Sequence, residues 1–164
     1  MTRVSLLCFI ACDGLVETLM TDGTFDRVRF VSCCREFALS KNVQQYPGRR
    51  SVWILDGARI HCHPNFTYYL RSIGIIPIFL PAYCPFFNPI EFFFGYVKKD
   101  MRRNYSECNV RPADLTKEVS SILAGFCTYS MRKVFTHCGY SPSGRFNPGV
   151  AYSIHTDMRN LGYE

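Results

Sequence analysis

Two carboxylates stand out by where they fall. Asp56 ends a short apolar run, Ser51–Leu55, and Glu91 follows Asn88-Pro89-Ile90 after a proline-rich loop. Between them lie 34 residues. Carboxylates are hard oxygen donors and suit a divalent ion such as magnesium, which keeps waters or phosphate oxygens in its shell. Two such ions ~3.5–4 Å apart activate water and stabilise the leaving oxygen of a phosphodiester. Phosphate-transfer chemistry would explain acids here in place of a thiol or histidine. Each acid also has a plainer reading. Asp56 can cap the turn into the next helix. Asn88, Pro89 and Glu91, at N-cap, first and third helical positions, form a capping signature that Glu91 can simply complete.

Other reactive residue types carry weaker signals. His61-Cys62-His63 invites a zinc reading, but alternate residues do not easily ligate one ion, and no second pair has finger-like spacing. A nucleophilic Cys62 or Cys84 paired with a histidine has no local pattern behind it. Lys98, Lys99, Arg102, Arg103 and Arg111 cluster on and after the helix that Glu91 begins. They read either as a solvated face or as salt-sensitive, sequence-independent phosphate contacts. Tyr96 and Tyr105 are candidates to stack on exposed bases, with packing the simpler role. Phe92, Phe93 and Phe94 are core residues on the simplest reading.

The elements that must position these residues follow from periodicity. Val4–Cys12 is nearly all apolar, as expected of a strand covered on both faces. Asp13-Gly14 is a turn signal and Leu15–Thr21 the returning strand. That hairpin reading displaces a signal-peptide reading of Arg3 and Val4–Ala11. Thr24 is placed to cap a helix running to about Gln44, with Phe30, Cys34, Phe37 and Ala38 as its buried stripe. Ser51–Leu55 reads as a strand, Pro64–Ile73 as a helix and Ile75–Leu80 as a strand weakened by Pro77. A helix then reaches about Arg103. Leu115–Cys138 is helical with a break near Gly125, and Ser141–Glu164 is an irregular tail. Strand–helix–strand units with right-handed crossovers give parallel neighbours, so with the hairpin the sheet should be mixed.

Composition sets the frame. The chain has 164 residues, about one domain, with 48% apolar residues, 20% charged residues and a net charge of +6. That excludes disordered and collagen-like classes. No apolar run reaches the ~18 residues that span a bilayer. The longest greasy stretch, Ile73–Phe87, is broken by Gly74, Pro77, Pro81 and Pro85. Nine cysteines without CxxC pairs read as reduced, buried thiols of an intracellular protein.

The motifs also carry a resemblance. Asp56-Gly57-Ala58-Arg59-Ile60-His61 resembles the Asp-Asn-Ala-x-x-His segment of DDE-superfamily transposases. Leu80-Pro81-Ala82-Tyr83-Cys84-Pro85-Phe86-Phe87-Asn88-Pro89-Ile90-Glu91 resembles their Leu-Pro-Pro-Tyr-Ser-Pro-x-x-Asn-Pro-Ile-Glu block. The 34-residue interval is that of the mariner-type branch. The likeness extends back through Gly14 and Gly23-Thr24 and forward through Lys98 to His137-Cys138-Gly139-Tyr140. Gly57 stands where the family has Asn, Ala82 where it has Pro, and Cys84 where it has Ser.

The resemblance implies an α/β, RNase H-like mixed sheet with flanking helices over residues 1–140. It implies DNA cleavage and joining with Mg²⁺ or Mn²⁺ held by Asp56 and Glu91. His61 and Asn88 would support those acids, and Lys98, Lys99, Arg102 and Arg103 would contact DNA. The family's first catalytic Asp lies on a central strand upstream of the segment that Val4–Cys12 resembles. The expectation is therefore a sheet missing that first strand. Asp13 is expected at the opposite end of the sheet from Asp56, and Asp22 about three strand spacings away, roughly 14 Å at ~4.8 Å each, so neither should replace it. The expected partners are DNA and, in a homodimer, a second copy of the chain, with no membrane. The expected location is the nucleus in a eukaryote and otherwise the cytoplasm. With that first acid missing the catalytic domain is expected to be incomplete, with weak or no cleavage by this chain alone, and the competing reading is a domesticated domain that binds nucleic acid or a protein partner without cleaving.

Overall fold

The computed structural model describes residues 4–59, 61–108 and 115–140. They form an α/β fold in the order β1 (Val4–Ala11), β2 (Gly14–Asp22), α1 (Arg27–Ala38), β3 (Val52–Leu55), α2 (Pro64–Ser72), β4 (Ile76–Phe79), a 3₁₀ turn (Pro85–Phe87), α3 (Pro89–Cys108), α4 (Leu115–Gly125) and α5 (Arg132–His137). Arg111 and the expected irregular tail, 141–164, lie outside the described residues.

β1 and β2 form one two-stranded sheet, and β3 and β4 form another. The sequence argued for one mixed sheet; among the described residues no strand joins the two pairs. β1 is also less covered than its composition suggested, since Cys8 is its only buried residue. The turn falls at Cys12-Asp13, one residue earlier than expected.

The described residues divide into two compact units. The first takes in 4–7 and 17–84, hence the open end of the hairpin, α1, β3, α2 and β4. The N-cap of α1 is Asp26, not Thr24: its carboxylate accepts from the Arg29 amide at 2.8 Å. The helix stops at Ala38, well short of Gln44. There the Ser40 hydroxyl accepts from the Asn42 amide, a local side-chain bond that competes with another helical turn. The predicted stripe is buried, with Cys33 added to it. Phe37 meets Trp53 of β3, and Phe30 meets Phe66 of α2 edge-on at 5.5 Å.

β3 and β4 run parallel in the register Val52↔Ile76, Trp53↔Pro77, Ile54↔Ile78 and Leu55↔Phe79. Side chains alternate across a strand. Trp53 and Pro77 therefore share a buried face, while Val52, Ile76 and Ile78 share one that is open among the described residues. Pro77 is tolerated where β4 has no second strand neighbour among the described residues, since at an edge a missing amide donor need not break a ladder.

The second unit holds 8–16 and the described residues from Pro85 onward. Phe92, Phe93, Tyr96 and Val97 give α3 a buried face, joined by Val119, Ile122, Leu123, Phe126, Met131 and Val134. The hairpin turn docks on the α4–α5 connection. The Leu15 amide donates to the Phe126 carbonyl at 2.8 Å, and the Met131 amide donates to the Cys12 carbonyl at 3.0 Å. Gly14, at φ +126°, lies so close that a Cβ would fall 2.6 Å from the Phe126 oxygen. No described helix is long and apolar enough to cross a membrane.

Candidate functional site

Parallel pairing sets Asp56. The Leu80 amide donates to the Leu55 carbonyl at 2.8 Å, so the chain leaves β3 and β4 at the same end of the pair. The carboxyl ends of parallel strands are where open α/β sheets meet ligands. Asp56 Oδ1 accepts from the Ala58 amide at 2.9 Å and from His61 Nδ1 at 2.5 Å. The turn-capping reading is therefore true as far as it goes, but both bonds end on one oxygen. Oδ2 accepts no hydrogen bond among the described residues. The His61 hydrogen bond is the main cause that holds the Asp56 carboxyl below its usual range, with the Ala58 amide adding to it and partial burial opposing. Phe30 backs the His61 ring at 4.4 Å between centroids. His61 and Cys62 both donate their amides to the Ala58 carbonyl, closing the loop that brings the imidazole back to Asp56.

The loop after β4 rests against this one. A Cβ added at Gly57 would meet the Leu80 oxygen at 3.4 Å and the Ala82 nitrogen at 4.0 Å, ordinary contacts. Packing therefore does not force glycine at 57. One residue further on, Tyr83 has φ +59°, left-handed for a side chain that disfavours it, and is 98% exposed. That backbone costs roughly 1–2 kcal/mol. Arg59, also exposed, has no ion-pair partner among the described residues.

Glu91 opens α3 in the other unit. Asn88 is buried, and its side-chain oxygen accepts from the Ile90 amide at 3.4 Å. In a full capping box Glu91 would accept from the Asn88 amide. That amide donates instead to the Pro85 carbonyl at 2.9 Å. The exposed Glu91 carboxylate is thus not needed to finish the helix, and no described residue binds it. The start of α3 is held from α5 as well. The Tyr140 hydroxyl donates to the Phe87 carbonyl at 2.9 Å, and His137 lies edge-on to Phe92. The block His137-Cys138-Gly139-Tyr140, singled out by resemblance, therefore braces the helix that carries Glu91.

At about 100° per residue, Lys98 and Arg102 fall on the same face of α3 as Glu91. Both are exposed. Lys99 and Arg103 follow on an adjacent line, and Arg103 lies 3.9 Å from Asp100. Tyr96 is fully buried against Phe126 and Tyr129, so it is core and not a stacking platform. The Tyr105 side chain lies outside the described residues.

The structure brings His61 to Asp56, Asn88 to the start of the Glu91 helix, and the basic residues onto one helix. Asp56 and Glu91 belong to different units. Among the described residues no group of three or more histidine, cysteine or carboxylate side chains assembles as a metal site, and the His61-Cys62-His63 run makes no exception. The thiols divide: Cys8, Cys33, Cys34 and Cys138 are buried, whereas Cys12, Cys62 and Cys127 are exposed, correcting a uniformly buried set. Sequence reasoning passed over Tyr83 and Arg59 as candidates. The run Pro81-Ala82-Tyr83-Cys84-Pro85 marked a loop, but nothing in it announces a left-handed, solvent-facing tyrosine.

The described residues form an α/β fold with an acid at the end of a parallel strand pair. The family model of the DDE superfamily endonuclease matches residues 1–110, which is 110 of the 164 residues. The chain belongs to that family. No curated protein matches its sequence.

Proposed function

We propose that this chain is a mariner-type DDE endonuclease domain of RNase H-like fold that acts on DNA phosphodiesters with Mg²⁺ or Mn²⁺. The observation that carries the reading is Asp56: an ionised carboxylate at a strand end, with one oxygen held by His61 and Ala58 and the other uncommitted. Glu91, released from capping by the Pro85 carbonyl, is the second oxygen donor. These donors suit a hard divalent ion, and when bound it would activate a water and stabilise the leaving oxygen of a phosphodiester.

The remaining work falls to the chain's own groups. His61 orients Asp56 and favours its charged form. Asn88 fixes the first turn of α3 and so the place of Glu91. Lys98 and Arg102, with Lys99 and Arg103 beside them, contact backbone phosphates on the DNA that the acids act on. Room at Gly57 supports the view that the departure from the family's Asn there is compatible with the loop.

Nicking of supercoiled DNA by the full chain tests this. Activity is expected with Mg²⁺ or Mn²⁺, absent with chelator, and reduced at least about 100-fold by Asp56→Asn or Glu91→Gln, the scale of removing one group that acts on the transition state. Metal-dependent nicking that survives both substitutions would overturn the assignment. A second reading, binding without cleavage, draws on the absence of a three-donor cluster among the described residues. It predicts salt-sensitive DNA retention, indifferent to Asp56→Asn, with no nicking under either metal.

A further inference from the structure

We propose that Tyr83 and Arg59 form a contact for an unpaired nucleotide of DNA at the rim of the Asp56 site. The tyrosine ring stacks on the base and the guanidinium meets its phosphate. The inference rests on the DNA reading above but not on cleavage.

The fold does not need the Tyr83 ring. Tyr83 is 98% exposed, so its ring contributes almost nothing to a core. Its backbone is left-handed at φ +59°, a conformation glycine would adopt freely. A large aromatic at such a position costs stability and returns no packing. Tyr46 and Tyr68 are exposed too, but neither has a left-handed backbone. Pro81 and Pro85 bracket the loop and restrict its backbone.

Place then supplies the partner. The Tyr83 loop touches the Asp56 loop where Leu80 and Ala82 approach Gly57. Arg59 leaves the same Asp56 loop, exposed and without an ion pair among the described residues. An aromatic face, and a cation three residues along the chain from a candidate catalytic acid with no ion pair among the described residues, match the two needs of a single nucleotide, stacking for the base and charge for the phosphate. Bases inside a duplex keep both faces in the stack, so a ring reaches only a base that has left it. The site is therefore selective for a frayed end or overhang over an intact duplex.

The test compares a DNA duplex carrying a short single-stranded overhang, with 2-aminopurine in the overhang, against the blunt duplex of the same sequence. Binding of the full chain is measured in chelator. The wild-type chain is expected to prefer the overhang and to quench its 2-aminopurine. Tyr83→Ala and Tyr83→Gly should weaken overhang binding by roughly 5- to 150-fold, the scale of one base–aromatic stack. Blunt-duplex binding should stay within about twofold. Tyr83→Trp should restore the preference, and Arg59→Ala should weaken overhang binding. Tyr83→Gly should melt at or above the wild-type temperature, because glycine accepts the left-handed backbone, which separates lost stacking from lost fold. Equal binding of both duplexes by the wild-type chain, or equal weakening of both by Tyr83→Gly, would overturn this inference alone. Failure of the wild-type chain to bind either DNA would overturn it together with the DNA reading. A wild-type chain that prefers the overhang yet nicks DNA with neither Mg²⁺ nor Mn²⁺ would overturn only the cleavage assignment.

Discussion

Asp56 is poised by its asymmetry: one oxygen is committed to its own loop and the other is not. Because the His61 hydrogen bond is the leading cause of its lowered pKa, His61→Ala should move the carboxyl back toward the ordinary value of ~3.9. A ¹³C carboxyl titration by NMR would read the shift directly. An unchanged titration would show that His61 does not set the charge. A carboxyl whose folded pKa is depressed contributes stability above its unfolded pKa and loses it as pH falls through the folded one. Here the window lies in the acid range below ~3.9, and the contribution is small because the side chain is 48% exposed and solvent screens it. At this scale the sequence was most legible where residue type dictates chemistry. The contact of His61 with Asp56 was expected from the resemblance, and the capping of α3 by Asn88 from its place just before Pro89. Tyr83 was not readable, since its exposure and φ are set by how two loops meet. Tyr96 offered the same aromatic signal and proved to be core.

The elements show how far hydrophobic periodicity carries and where local chemistry overrules it. The buried stripe of α1 was legible from spacing, whereas its ends were decided by single hydrogen bonds, at Asp26 and Ser40, that several nearby residues were equally able to make. The hairpin gives a comparison of two glycines. Gly14 combines φ +126° with carbonyl oxygens 2.6 and 2.8 Å from a would-be Cβ, while Gly23 has φ +85° and nothing within 4 Å. Gly14→Ala should therefore destabilise the chain by about 3 kcal/mol or more, strain and overpacking together. Gly23→Ala should cost only about 1 kcal/mol of strain. Urea denaturation midpoints check the ranking. Equal costs would show that the hairpin turn is not seated on the Phe126–Tyr129 backbone.

For the whole molecule, strand order and crossovers were legible for β3, α2 and β4, whose parallel pairing follows from the strand–helix–strand pattern. The joining of all strands into one sheet was not, because pairing between distant segments depends on long-range contacts that local periodicity does not encode; among the described residues the two pairs stay separate. The family match covers 1–110. The bond from Tyr140 to Phe87 shows that residues beyond it still serve the start of α3. Tyr140→Phe removes that bond and should lower the melting temperature by a few degrees, the scale of about 1 kcal/mol in a domain of this size. Calorimetry would measure it, and no change would mean that the 3₁₀ turn holds itself.

The β3–β4 face that the described residues leave open has a colloidal consequence. Val52, Ile76 and Ile78 are each at least 39% exposed on one side of a parallel pair, an arrangement that soluble proteins seldom leave wet. The net charge of +6 keeps copies apart at low ionic strength, and added salt screens that repulsion. Light scattering should therefore rise with salt while DNA retention falls, and Ile78→Lys should flatten the first trend without altering the second. Scattering that ignored both salt and the substitution would mean that this face is not adhesive.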